Sequence, residues 1–295
     1  MNVTTEVLVI GAGPGGYTAA IKLGKLGKKV LLVEKHKMGG ECLNYGCIPS
    51  KALISSVGVF HKAKKAAEIG ITADNLKVDW AKVMAWKAAL VGGFTRNVSS
   101  LCKGNGVDVM MGEAKFTSAK TAQVVTAEGT HEVAFQNAII VTGSRPLGLP
   151  AFPIDGKDLI TSKEALELTE VPARLLIIGG GVIGLEIGTF YAKLGAQVTV
   201  VEVTGQLLPG VDPDLVMPVT RSLAKLGIAV FLDSKALSWK KSDAGLDISL
   251  ETPQGPKALS VDKVLLSVGR APNVDTLGLE AAGVEKDPKG FIPTR

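Results

Sequence analysis

Glu6-Val7-Leu8-Val9-Ile10-Gly11-Ala12-Gly13-Pro14-Gly15-Gly16 is a short apolar run that stops on a cluster of glycines. A helical pattern follows to Gly27, then the apolar run Lys29–Val33, which ends at Glu34. The order is strand, glycine turn, helix, strand, acid. In this G-x-G-x-x-G spacing Gly11 permits the tight turn, Gly13 lets a pyrophosphate approach the backbone, and Gly16 lets the helix pack on the strand. The N-terminus of the helix points free N–H groups at that phosphate. Glu34, 23 residues after Gly11, stands where a carboxylate accepts hydrogen bonds from a ribose.

The pattern returns. Leu175–Ile178 leads to Gly179-Gly180-Gly181-Val182-Ile183-Gly184, a helix to Gly195, and the strand Gln197–Val201 ending at Glu202. Gly11, Gly13, Gly16, Leu26, Gly27 and Glu34 map onto Gly179, Gly181, Gly184, Leu194, Gly195 and Glu202 by adding 168, without a gap. Val141-Thr142-Gly143-Ser144-Arg145-Pro146 is echoed by Ser267-Val268-Gly269-Arg270-Ala271-Pro272. The fold class is therefore α/β, with two Rossmann-like dinucleotide-binding domains. Pro146, Pro150 and Pro153 mark the boundary, giving domains 1–146 and 147–272, with 273–295 beginning a return to the first.

Each domain carries a small antiparallel meander. In the first it is read from Ala114–Ser118, Thr121–Thr126 and Glu132–Phe135, before a separate strand, Asn137–Thr142. In the second it is read from Ala236–Lys240, Leu246–Glu251 and Lys257–Leu259. A helix over Val78–Leu101 carries Trp80, Trp86 and Phe94, expected in the core, and ends beside a solitary Cys102. Thr161-Ser162-Lys163-Glu164 reads as a helix start.

Of the 295 residues 46% are apolar and only 5% aromatic, which suits an interior of Val, Ile, Leu and Ala. The net charge of +5 is spread along helical stretches without interleaved aromatics, which argues against nucleic acid. No run of about 18 apolar residues suggests a membrane span. The sequence shows no signal peptide, so a cytoplasmic location is expected.

Cys42 and Cys47 stand in Gly39-Gly40-Glu41-Cys42-Leu43-Asn44-Tyr45-Gly46-Cys47-Ile48-Pro49-Ser50-Lys51. In a reducing compartment such a pair is redox-active or metal-binding. Two ligands without a second Cys or His pair at zinc spacing make a poor metal site, and no metal is expected. Two dinucleotide sites and a thiol pair fit an electron relay from a flavin on one site to a nicotinamide on the other. Glu202, with no arginine in Val203–Leu207, favours NAD over NADP, because the carboxylate repels a 2′-phosphate.

The Gly39–Lys51 stretch resembles the redox-disulfide motif of the flavoprotein disulfide reductases. Leu43, Ile48, Ser50 and Lys51 point to the dihydrolipoamide dehydrogenase branch, and the resemblance runs the length of the chain. It implies FAD on the first domain, held at Gly11, Gly13, Pro14 and Gly16, at Glu34 and Lys35, and at Gly40, Lys51, Ala114 and Gly143. It implies NAD on the second, held at Gly179, Gly181, Val182, Ile183 and Gly184, and at Glu202 and Gly269. Cys42 is then the thiol that exchanges with dihydrolipoamide, Cys47 lies nearer the flavin, and Glu186 pairs with Lys51. The implied electron path runs from dihydrolipoamide to a Cys42–Cys47 disulfide, to FAD, to NAD. The implied partner is the lipoyl domain of a 2-oxo acid dehydrogenase, glycine cleavage or acetoin complex. Another disulfide or mercuric reductase, or a non-catalytic nucleotide-binding fragment, are the alternatives.

Members of that family run longer. They carry a second flavin motif and a dimerisation domain whose His–Glu pair supplies the catalytic base. His36, His61 and His131 match no such motif, so a C-terminally truncated form is expected. Losing a general base costs roughly 10²–10⁴ in rate, so turnover well under about 1% of a complete enzyme is expected. The cysteine segment reads as a helix start, yet five residues along an ideal helix set two Cα atoms about 8.6 Å apart. A disulfide tolerates roughly 7 Å at most. An irregular turn between Cys42 and Cys47 is therefore expected, with Gly46 and Pro49 where the distortion is easiest.

Overall fold

The computed structural model describes residues 2–294, which form two compact units. Of the described residues the first comprises 2–48, 88–145 and 271–294; the second comprises 49–87 and 146–270.

In the first unit, β1 (Asn2–Ile10) leads through the glycine turn to α1 (Pro14–Lys25) and β2 (Val30–Glu34). The short α2 (Gly40–Asn44), then α3 (Cys47–Lys65) and α4 (Trp80–Gly104) follow; the unit boundaries fall inside these last two. Then come β3 (Val107–Met111), β4 (Glu113–Phe116), β5 (Thr121–Thr126) and β6 (Gly129–Ile140). The six strands form one sheet in the order β3-β2-β1-β6-β5-β4. The β3-β2-β1-β6 part is parallel and the β4-β5-β6 part antiparallel.

The end of β1 and all of β2 are buried, as expected of parallel strands covered on both faces. Strand periodicity sorts their side chains. Val7, Val9, Val30 and Leu32 face Ala20 of α1 and Val98 and Cys102 of α4. Leu8, Ile10, Leu31 and Val33 face Phe116, Val124 and Phe135 of the meander and Leu277 and Leu279 beyond it.

One expectation is corrected. Glu132–Phe135 and Asn137–Thr142 are not separate strands but the single strand β6. The polar pair Gln136-Asn137 reads as a break, but both residues are exposed, and the ladder to β1 continues through Thr5↔Phe135 and Val7↔Asn137.

The chain passes through the short strand β7 (Ser144–Pro146) into the second unit, with β8 (Leu159–Ile160), α5 (Ser162–Ala165), β9 (Arg174–Ile178), α6 (Val182–Lys193), β10 (Gln197–Val201), α7 (Pro213–Lys225) and β11 (Ala229–Phe231). After them come β12 (Lys235–Ser242), β13 (Gly245–Thr252), β14 (Gly255–Val261), β15 (Lys263–Leu266) and β16 (Arg270–Pro272). A parallel sheet runs β11-β10-β9-β15-β8, and β12-β13-β14 form the separate antiparallel meander. Leu175, Ile177, Val198 and Val200 pack with Phe190 and Tyr191 of α6 and Leu53 and Val57 of α3. Leu176, Ile178 and Leu266 pack with Leu246, Ile248 and Leu250 of the meander.

The helix start read at Thr161–Glu164 is that of α5, where Thr161 and Glu164 form a capping box. Tyr191, fully buried, donates its hydroxyl to the Ala165 carbonyl at 2.6 Å. Trp80 donates to Leu168 at 2.9 Å and lies beside the Tyr191 ring. The other two aromatics of α4 are not core: Trp86 is 48% exposed and Phe94 42%. The helix turns them away from the stripe that it buries.

Two helical glycines with ordinary φ give a test of this packing. A Cβ on Gly24 in α1 would lie 2.1 Å from the Asn105 carbonyl oxygen, whereas one on Gly58 in α3 meets nothing within 4 Å. Gly24→Ala is expected to destabilise the chain by about 1–3 kcal/mol. Gly58→Ala is expected to stabilise it by roughly 0.5–1 kcal/mol, by removing backbone freedom from the unfolded chain. Thermal denaturation of the two variants checks the opposite signs.

Candidate functional site

In the first unit the end of β1 is closed by backbone contact. Gly11 has φ +103°, and a Cβ there would sit 2.4 Å from the Val141 carbonyl oxygen. A Cβ on Gly16 would sit 1.7 Å from the Gly11 carbonyl oxygen, so α1 starts directly against the strand end. Gly13 caps α1 in extended conformation with no side-chain cap, and Pro14 takes the first helical position. Pro14 has no N–H to lose, while the other first-turn N–H groups are left for an anion. Gly40 lies so close that a Cβ on it would be 2.5 Å from Gly13 Cα.

Glu34, buried, accepts from the Ala12 N–H at 2.8 Å on one oxygen and from the His36 N–H at 2.8 Å on the other. These bonds fix the carboxylate against the glycine loop and leave lone pairs for a hydroxyl pair. A cavity at this end of the sheet is lined by Gly11, Glu34, Lys35, Ala114, Thr142 and Asn273. Asn273 was not foreseen in the sequence. Its N–H donates to the Gly143 carbonyl at 3.0 Å and its amide to that of Thr142 at 3.1 Å, pinning the turn after β6.

The second unit repeats the device. Gly179 has φ +106°, with a Cβ position 2.5 Å from the Ser267 carbonyl oxygen. Gly181 caps α6 in extended conformation, again with no side-chain cap. A Cβ on Gly184 would meet Ser267 Oγ at 2.5 Å and the Gly179 carbonyl oxygen at 2.9 Å. Val182 is exposed and Ile183 half-buried at the helix start, and Gly269, with φ +133°, follows the end of β15. Glu202 is buried and accepts from the Gly180 N–H at 2.6 Å and the Thr204 N–H at 2.8 Å. The donor pairs Ala12/His36 and Gly180/Thr204 are themselves related by adding 168. The sequence repeat is thus a repeat of hydrogen bonds.

Cys42 and Cys47 form a disulfide with Cα atoms 4.7 Å apart. The helix breaks between them as expected: α2 ends at Asn44, Tyr45 leaves helical geometry at φ −132° and ψ 0°, and α3 restarts at Cys47. Pro49 sits in the first turn of α3, where a missing N–H costs nothing. Asn44 holds α2, donating to the carbonyls of Met38 and Gly40 at 3.0 and 2.9 Å and accepting from Thr95 Oγ1 at 3.0 Å. This role of Asn44 is invisible in the sequence because Thr95 lies 51 residues away.

Within the second unit Lys51 Nζ reaches both carboxylate oxygens of Glu186, at 2.7 and 2.8 Å. The Lys51 side chain is 58% exposed and that of Glu186 30%. A pair this wet adds little stability.

A model of the pyridine nucleotide-disulphide oxidoreductase family matches residues 5–295. The chain is 44% identical to a dihydrolipoyl dehydrogenase of Geobacillus stearothermophilus over 98% of its own length and 62% of that protein's. It is 43% identical to one of Bacillus subtilis over 99% and 62%. The chain thus spans about three fifths of the length of these curated relatives. Among solved structures, LpdA of Mycobacterium tuberculosis matches with a TM-score of 0.88 at 26% identity, over 97% of this chain and 63% of that one. The HOCl-induced flavoprotein disulfide reductase RclA of Escherichia coli, as its Cu(II) complex, matches with a TM-score of 0.84 at 26% identity, over 99% and 62%. Among the described residues no helix is long and apolar enough to cross a membrane.

The three cysteines differ in exposure. As whole residues Cys47 is exposed and Cys42 half-buried, whereas Cys102 is fully buried and burial pushes its thiol pKa up. Thiolate, not thiol, is the reactive form. In a colorimetric thiol titration the oxidised native chain is expected to show no fast-reacting thiol. The reduced native chain is expected to show two, and the denatured reduced chain three.

Proposed function

Because the chain belongs to the pyridine nucleotide-disulphide oxidoreductase family, we propose that it passes electrons between dihydrolipoamide and NAD through the Cys42–Cys47 disulfide, with FAD on the first unit and NAD on the second. Support for the substrate comes from relatives named dihydrolipoyl dehydrogenase. The observation that carries the redox reading is the disulfide itself, which spans a broken helix in the unit whose glycine loop abuts Gly40.

The residues present fit the two cofactors. Each unit has an uncapped helix behind a glycine turn and a buried carboxylate fixed beside it. Backbone N–H groups at α1 and α6 suit a pyrophosphate. The spare lone pairs of Glu34 and Glu202 suit ribose hydroxyls, and a buried Glu202 disfavours a 2′-phosphate. When bound, FAD and NAD supply two-electron acceptor chemistry.

The protein's own part is thiol exchange. A substrate thiolate attacks Sγ of Cys42, breaks the Cys42–Cys47 bond and releases Cys47 as thiolate. The second substrate thiol then displaces Cys42, closing the substrate disulfide. Two electrons have moved to the cysteine pair, and two protons are left on the pair or on neighbouring bases. Lys51 stands four residues after Cys47, one turn along α3, with its charge held by Glu186. In this reading Lys51 and Glu186 position charge, while Cys42 and Cys47 react.

A single-turnover assay in reverse tests this on the chain itself. The flavin-loaded protein mixed anaerobically with NADH is expected to release two thiols per chain. Cys47→Ser is expected to release none, and NADPH to act at least roughly tenfold more slowly, because Glu202 repels its 2′-phosphate. NADH binding without thiol release would leave a nucleotide-binding chain and sink the redox reading.

A further inference from the structure

Away from the glycine loop of the second unit, the C-termini of three of its helices meet at one cavity. α3 ends at Lys65, α6 at Lys193 and α7 at Lys225. The cavity, about 220 Å³, is lined by these three lysines together with His61, Lys64 and Leu226. No lining residue is acidic, and among the described residues none of the four lysines pairs with a carboxylate. Lys64, Lys65 and Lys225 are exposed, while His61 and Lys193 are half-buried.

A single lysine at a helix C-terminus needs no ligand to explain it, because it offsets the partial negative charge there. That accounts for one lysine per helix. It does not account for three such ends sharing a cavity with a fourth lysine and a histidine. Each helix end carries about half a negative charge, so four lysines leave a surplus of roughly two to three positive charges. His61 lines the same cavity. Its pKa is lowered, first by burial and then by Lys65, Lys193 and Lys64. Those lysines come from its own helix and from α6; Lys225 completes the ring from α7.

We propose that this cavity binds a small, multiply charged phosphate anion, at a site separate from both dinucleotide loops. It lies at the opposite end of α6 from the Gly181 loop, and that helix is 12 residues long, about 18 Å. Lysines on three elements, exposed on α3 and α7 and half-buried on α6, suit an anion with several oxygens, since each ammonium offers donors in many directions. The site rests on this charge arrangement and not on the redox reading above.

Inorganic pyrophosphate is the probe, and the His61 imidazole, followed by NMR in the full chain, is the reporter. The glycine loops also accept phosphate, so heat of binding alone does not locate the site. His131 serves as internal reference, His36 reports on the first glycine loop beside it, and His61→Gln assigns the signal. Pyrophosphate is expected to shift the His61 resonance saturably and to raise its pKa, because a nearby anion favours the imidazolium. Lys64→Gln/Lys225→Gln should weaken that binding roughly tenfold. Lys62→Gln/Lys77→Gln, an equal charge change on exposed lysines outside the cavity, should leave it unchanged. A His61 signal unmoved by about 10 mM pyrophosphate, well beyond millimolar affinity, overturns the proposal. So does equal weakening in both double variants, which would reduce the effect to overall charge.

Discussion

How closely a helix can begin against the end of a strand decides most of what this chain can hold. At Gly16 a single added carbon would stand 1.7 Å from the Gly11 carbonyl oxygen, so any side chain there would push α1 off the sheet. The N–H groups of its first turn would then move away from the place where a phosphate must sit. Close approach also lets one carboxylate close the loop. Glu34, at the end of the neighbouring strand, reaches the Ala12 N–H only because the turn is this tight. Glu202 and Gly180 repeat the arrangement. Burying a carboxylate is expensive unless it is hydrogen-bonded, and here the loop's own N–H groups meet that cost. Glycine spacing and acid are thus two parts of one device.

The cysteine pair obeys a second geometric limit. A regular helix cannot bring residues five apart within bonding distance, so the chain spends two residues, Tyr45 and Gly46, outside helical geometry. The observed Cα separation of 4.7 Å follows from that break. Asn44 then does what the lost helical bonds would have done, tying the end of α2 to Met38, Gly40 and Thr95. The disulfide sits at a joint between two helices, with the end of α2 fixed by the side-chain bonds of Asn44.

Features written in short-range spacing were legible in the sequence; those written in long-range contact were not. The 168-residue repeat foretold both glycine turns, both acids and even the helix α6, whose range is that of α1 displaced by 168. The break between the cysteines followed from helix dimensions once the resemblance implied a disulfide between them. By contrast, β6 looked like two strands because Gln136 and Asn137 are polar, and only the ladder to β1 shows that they continue it. Trp86 and Phe94 looked like core because aromatics usually are, but their place on α4 leaves them exposed. Asn273 had no signal beyond its position after Pro272, since its partners Thr142 and Gly143 lie about 130 residues earlier. The lysine-lined cavity was equally hidden, being assembled from three helix ends that are far apart in sequence.

Helix α6 shows how these limits combine in one element. Its N-terminus is held bare by Gly181 and faces the loop closed by Glu202. Its middle places Glu186 where Lys51 can reach it, on a helix that is otherwise mostly buried. A carboxylate there has little to offer the core, and the exposure of the pair rules out a large stabilising effect. Its C-terminus ends in Lys193 beside two other helix ends. The aligned peptide dipoles make the first end attractive to anions by themselves. They make the last end repel anions, so an anion site there has to be built from side chains, and lysines are what the sequence places there. One helix therefore presents two anion-compatible ends for opposite physical reasons, one from its backbone and one in spite of it.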